Sequence, residues 1–244
     1  MVKFFNKQEK PTISFVSTVP GLDLIPDIVP QPYKKFIPDW WKNTPAFDNN
    51  GLPTVKVCPS FTDFFDLGYV MPMWCSVKLE YNSEIDLWRY ETSSSEFDIQ
   101  HHGNEQFLDC VDVNFLGEKA DFVFKAVCPW RIITKPGWSV LQLPLFYHFN
   151  KEYTVLPGII DTDRYHQVNQ QILYFGNSKQ ITINGGDPLC LYIPFERKKM
   201  DYAIRDANEH DIKIFNKETL NVRVGFPGSG RYRKERKLLE KKSD

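Results

Sequence analysis

Between residues 55 and 195 the chain cannot run straight for long. Turn formers cut it at Ser93-Ser94-Ser95, Gly117-Glu118-Lys119, Lys135-Pro136-Gly137, Gly176-Asn177 and Asn184-Gly185-Gly186-Asp187-Pro188. The apolar runs left between these breaks suit strands better than helices. Trp74–Tyr81 alternates, with Cys75, Val77, Leu79 and Tyr81 toward one side and Ser76, Lys78 and Glu80 toward the other. That two-residue period belongs to a half-buried strand. Further strands are predicted within Thr12–Val19, Glu84–Thr92, Glu96–Gln100, Phe107–Phe115, Asp121–Val127, Trp138–Pro144, Val168–Phe175, Lys179–Ile183 and Leu189–Phe195. Short strands at regular spacing predict an all-β sandwich or barrel. The 19 Phe, 11 Tyr and 6 Trp suit a pleated surface, and 17 Pro with 13 Gly oppose long helices.

The N-terminal part reads differently. Prolines at 20, 26, 30, 32, 38, 45 and 53 forbid a long ladder or helix there. Large anchors stand among them: Tyr33, Phe36, Ile37, Trp40, Trp41 and Phe47. The segment is expected to be an arm packed along a surface, its own or a neighbouring subunit's, with a helical turn at Asp39–Lys42. Three regions follow: an N-terminal strand and arm over 1–54, a β domain over 55–224, and a linker with a charged helical tail over 225–244. Helices are expected over Lys199–Asn208 and, with good formers and no breaker, over Arg231–Lys242. The tail carries seven basic and two acidic residues and reads as a solvated or partner-binding helix, with nucleic acid the lesser alternative.

A net charge of −1 gives no global field toward nucleic acid or membrane. No window approaches the ~20 apolar residues of a membrane span, and the first ten residues lack a signal peptide's apolar stretch. Cys58, Cys75, Cys110, Cys128 and Cys190 stand far apart, without a CxxC pair, and are expected as buried free thiols of a reducing cytosol. His101 and His102 adjoin, so on a strand they point to opposite faces and fit a surface loop better than a metal site. No GxSxG, P-loop, HExxH or GxGxxG occurs.

Residues 136–195 carry a more specific pattern. Pro136-Gly137-Trp138 opens a strand ending at Pro144. Then come Tyr153–Asp161 (YTVLPGIID), Thr162-Asp163-Arg164-Tyr165-His166-Gln167, a strand to Phe175, Ile181-Thr-Ile-Asn-Gly-Gly-Asp-Pro and a closing apolar strand. In that order the stretch, with the strand before it from residue 122, resembles the β-clip fold of dUTPases and dCTP deaminases. The resemblance implies a distorted barrel or sandwich and commonly a homotrimer. It also implies that Tyr153–Gly158 is a hairpin whose backbone reads a pyrimidine. Asp161 is then the candidate base that orients water, with Tyr165 beside the sugar; Tyr147, His148, Gly158, Asp163, Arg164 and His166 are candidate ligand contacts. Mg2+ would serve only the enzymatic reading; otherwise no cofactor is implied. The alternative is that Asp161 and Asp163 are Asx-turn residues shaping a loop.

The stretch also departs from the family. Its phosphate motif has Arg-Ser-Gly after the proline, whereas Pro144 is followed by Leu145-Phe146-Tyr147-His148. Without a cation, small hydroxyl or glycine there, the grip on a triphosphate is missing, and the rings are expected to fill its space. The tyrosine comes one residue late, at Tyr165, with Arg164 in its place. Gly225-Phe-Pro-Gly-Ser-Gly230 is similar to the family's nucleotide-covering last motif, or is a plain hinge. Cys128-Pro-Trp-Arg and Pro144-Leu-Phe-Tyr-His-Phe resemble an uncharacterised family of tailed phages of marine bacteria. Three functions follow. The first is a non-catalytic assembly or binding protein of a phage, in the virion or accessory to it, in the cytoplasm of the producing cell and partnered by itself or by virion proteins. The second is a diverged nucleotide hydrolase or deaminase using Asp161. The third is a jelly-roll ligand-binding module.

Overall fold

A computed structural model of the chain describes residues 12–82, 84–85, 87–108, 122–175 and 178–216. Two compact units emerge: Met1–Phe36 with Gly68–Arg197, and Ile37–Leu67 with Lys198–Asp244. The first holds every strand named below, in four antiparallel sheets, joined by loops and short 3-10 turns.

Its largest sheet has the order β11-β9-β14-β3-β2, with β2 (Gln31–Pro32), β3 (Tyr69–Pro72), β9 (Trp138–Pro144), β11 (Gly158–Ile160) and β14 (Pro188–Glu196). A second has the order β10-β12-β7-β6, with β6 (Ile99–His101), β7 (Phe122–Ala126), β10 (Tyr153–Val155) and β12 (Gln170–Tyr174). The third joins β13 (Gln180–Ile183), β4 (Val77–Asn82) and β5 (Leu87–Thr92); the fourth pairs β1 (Ile13–Ser17) with β8 (Trp130–Thr134). One row from each of the first three sheets feeds a common core. Val140 and Tyr192 come from the first, Phe124 and Ile172 from the second, and Val77, Leu79 and Ile181 from the third. Alternation decides which side chains these are: on β4 it buries Val77 and Leu79 and leaves Glu80 outside, as the period predicts.

The core also holds polar groups. Gln170 on β12 donates from Nε2 to the Tyr192 hydroxyl at 2.6 Å, which donates to Gln142 Oε1 at 2.7 Å; Gln142 Nε2 donates to the Leu156 carbonyl at 2.9 Å. All three side chains are buried. The relay ties the second sheet, through Gln170, to the first, through Tyr192 and Gln142. Burial holds the Tyr192 phenol well above its usual range, so it stays a neutral donor.

In the second unit, α1 (Asp39–Asn43) and α2 (Pro59–Phe65) enclose one ring. Trp41 stacks on Phe61 at 5.5 Å and meets Phe65 at 4.9 Å, while the Lys56 ammonium lies 5.0 Å from its ring centroid. Helix α2 stands where strands were expected to begin. Pro59 at its first position and Phe61, Phe64 and Phe65 at i, i+3 and i+4 are helix signals.

Other expectations need correction. Residues 199–208 form no helix; the helical residues are 209–216. Asn208 marks the start, its Oδ1 accepting from the N–H groups of His210 and Asp211 at 3.0 Å each. The hairpin expected over Tyr153–Gly158 is not formed. Strand β10 pairs with β12 and β11 with β9, so the chain changes sheet at Leu156-Pro157. The predicted strand over 107–115 lies mostly outside the described residues. So do Cys110, the 176–177 turn, the 225–230 segment and the 231–242 helix. No described helix is long and apolar enough to cross a membrane.

Candidate functional site

Strand β14 pairs with β9 along its length, from Cys190 opposite Pro144 to Glu196 opposite Trp138. That register delivers the next residue, Arg197, to the Gly137 turn. Its backbone N–H donates to the Gly137 carbonyl at 2.8 Å. On the other side of β9, β11 is paired Ile160 opposite Val140, so the chain leaving it puts 161–163 at the same end of the sheet. Sheet topology therefore gathers Gly137, Ser139, Asp161, Asp163 and Arg197.

The guanidinium is the hub. Nη2 bonds Asp163 Oδ2 at 2.5 Å, and Nη1 bonds Asp163 Oδ1 and Asp161 Oδ1 at 3.0 Å each. Nη1 also donates to Ser139 Oγ at 2.7 Å and to the Trp138 carbonyl at 3.1 Å. The Ser139 hydroxyl, with its residue fully buried, donates a hydrogen bond to Asp161 Oδ1 at 2.7 Å. Asp163 receives a further bond from the Gly137 N–H at 2.8 Å. Gly137 has φ 82°, a left-handed turn geometry that favours glycine. The Asp163 side chain is only 6% exposed and that of Asp161 50%. The Arg197 bond, with the Gly137 N–H second, holds the Asp163 carboxyl down to about 2. The Arg197 guanidinium is raised in turn, first by Asp163.

The loop beyond is ordered by its own backbone. The N–H groups of Arg164 and Tyr165 donate to the Asp161 carbonyl at 2.9 Å. Thr162, fully buried, exchanges a hydroxyl bond with Thr134 at 2.8 Å, and His166 Nδ1 sits 2.9 Å from the Thr162 carbonyl. Only a donating Nδ1–H suits that carbonyl, which leaves Nε2 as the unprotonated nitrogen of the neutral ring. Arg164 and Tyr165 point outward.

The structure thus brings Asp161, Asp163, Arg164, Tyr165 and His166 into one loop. Tyr147 and His148 belong to another group: His148 stacks on Tyr33 at 6.3 Å, and Tyr147 meets Phe146 edge-on at 5.5 Å. Leu145 is buried, but Phe146 is 67% exposed, so the expectation that rings fill a phosphate cavity fails for Phe146. Gly158 has open space where a Cβ would stand and needs no left-handed backbone, so glycine is not required there within the chain. The hairpin expected to read a base has its backbone committed inward: Leu156 N–H donates to Gln171 O at 2.9 Å, and Leu156 O accepts from Gln142. Two clefts lie elsewhere on the first unit, one bordered by Asp27, Lys35 and Gly186, the other by Lys78, Arg89 and Glu91.

Sequence reasoning missed Arg197 and Ser139. No local motif marks either; the closing strand's register does. Cys75, Cys128 and Cys190 are buried free thiols and Cys58 is a half-buried one. Burial pushes Cys75 up to about 11 and Cys128 up to about 12. His101 stacks on Phe122 at 4.7 Å, and His102 bonds Gln106 at 2.6 Å. Among the described residues no group of three or more His, Cys, Asp or Glu is placed to hold a metal.

No family model matches the chain. No curated protein matches it. Among solved structures it is similar to a mutant dUTPase from phage phi11 of S. aureus, which holds a structural Mg(II) ion, with a TM-score of 0.32 and 10% identity. The similarity covers 59% of this chain and 86% of that one. At that level it assigns neither ligand nor reaction, and the chain is described by what its own strands build: an all-β core with few helices.

Proposed function

We propose that the protein is a non-catalytic binding or assembly protein on a dUTPase-like β scaffold, working as a virion or accessory component of a phage. One observation carries this reading: Arg197 ties both carboxylates of the loop into the framework, Asp163 through both oxygens and Asp161 through Oδ1. Asp161 Oδ1 is occupied by Ser139 Oγ and Arg197 Nη1, and Asp163 holds the same guanidinium through both oxygens. A general base must offer a free lone pair to the water it activates; Asp163 has both oxygens bound, and Asp161 keeps only Oδ2 for a water. Two carboxylates sharing one guanidinium instead make a clamp that fixes the 161–167 loop to the ends of β9 and β14. The absence of Arg-Ser-Gly after Pro144 supports the same reading, as does the inward use of the Leu156 backbone. The phage setting comes from the sequence resemblance alone. So does the trimer, and other virion proteins remain partners to test.

The test is a panel of deoxynucleoside triphosphates with Mg2+, followed by phosphate release and by deamination. The expected result is no turnover on any member. Turnover that Asp161→Asn abolishes would replace this reading with that of a diverged enzyme.

A further inference from the structure

Residues 199–205, Lys-Met-Asp-Tyr-Ala-Ile-Arg, run on from the end of β14 without helix or strand. Met200, Tyr202 and Ile204 are 84%, 89% and 93% exposed. Their spacing is the period of one strand face, and a row of large apolar groups wholly in water marks a surface awaiting a partner. Backbone groups give an independent sign. Among the described residues no backbone–backbone hydrogen bond is made by 199–205, although every strand N–H and C=O calls for one. The far end of the segment is anchored. The Arg205 guanidinium grips both oxygens of Asp211, with Nη2 to Oδ1 at 3.1 Å, and Asn208 caps the 209–216 helix.

The same chain carries a matching acceptor. Among the described residues strand β5 is the outer strand of its sheet; it is six residues long, with Leu87 and Tyr90 exposed. Such an edge is a template for another strand. An antiparallel register with Asp201 opposite Arg89 sets Lys199 opposite Glu91. On the other face it sets Tyr202 opposite Trp88 and Met200 opposite Tyr90. The charges extend a pattern already in the sheet, where Glu80 stands opposite Arg89 and Lys78 opposite Glu91. The added strand makes the rows Glu80–Arg89–Asp201 and Lys78–Glu91–Lys199, alternating in sign along both.

We propose that residues 199–205 of one copy add as an antiparallel strand to β5 of a second copy, in the register that opposes Asp201 to Arg89. Among the described residues neither 199–205 nor the outer edge of β5 pairs with another strand, and their complementary charges make a second copy of this chain the fitting partner. The proposal holds whether or not the domain is an enzyme, so it stands or falls apart from the reading above.

The test uses the full chain in sedimentation equilibrium. Wild-type protein is expected to self-associate. Asp201→Arg and Arg89→Asp should each weaken association about fivefold or more, and the pair together should restore it. All these positions are exposed, so circular dichroism should not change. A second arm places cysteines at Met200 and Tyr90, against the wild-type protein's own thiols as control, and mixes tagged with untagged copies. Oxidation should link one copy to another. A monomer at all concentrations, single charge reversals that associate like wild type, a double variant no better than either single, or a disulfide formed only within one chain would each overturn the proposal.

Discussion

Asp163 is the residue most tightly bound into the site, and its chemistry can be read from pH. Its carboxyl is held at about 2, against an ordinary value of 3.8, because the ionised form keeps Arg197 and the Gly137 N–H. A group depressed in the folded state contributes stability above its unfolded value and loses it as pH falls through the folded one. Thermal unfolding of wild type and Asp163→Asn should therefore differ most above pH ~4, with the variant less stable, and the two curves should converge toward pH ~2. A gap independent of pH would place Asp163's role in packing. The site was partly legible at this scale. The run of Asp161, Thr162 and Asp163 stood out as a loop carrying chemistry. Its partners did not, because Ser139 and Arg197 lie 22 and more residues away in sequence and meet it only through the β9–β14 register. The Asx-turn alternative is not what the loop does: the Asp161 backbone carbonyl collects the N–H groups of Arg164 and Tyr165, while both carboxylates go to groups outside the loop.

Among the elements, strands with one clean face were the readable ones. Strand β9 has the predicted bounds, β7, β12, β13 and β14 lie within a residue or two of theirs, and β4 starts three residues late. Strand β8 was missed although Trp130, Ile132 and Thr134 alternate inward, and β3 because its run of apolar residues has no period to read. The 153–160 stretch failed for a different reason. Two short strands around a proline look alike as a hairpin or as a corner between sheets, and only their partners decide. Here the decision is enforced by the relay from Gln170 through Tyr192 and Gln142 to Leu156 O. Tyr192→Phe removes its centre and leaves two buried amides short of a partner, a loss of about 1–3 kcal/mol or more. Urea unfolding with an unchanged slope and a lower midpoint is the expected record. Wild-type stability in this variant would mean that the relay contributes nothing net. The 199–208 segment was misread as helix because its residues are good formers. Its apolar positions recur every two residues, which is a strand's signature.

For the whole molecule, sheet topology accounts for what the chain keeps and what it lacks. It builds a closed core from short antiparallel strands and brings the loop after β11 to the end of β14. There it spends that loop's carboxylates on an arginine. The proposed assembly role uses that rigidity, and a hydrolase would have Asp161 Oδ2 alone to work with. The most direct measurement is calorimetric titration of the full chain with a non-hydrolysable deoxynucleoside triphosphate analogue and Mg2+, repeated with Arg197→Ala. The account predicts no binding heat for the wild type. Saturable wild-type binding that Asp161→Asn removes would contradict it.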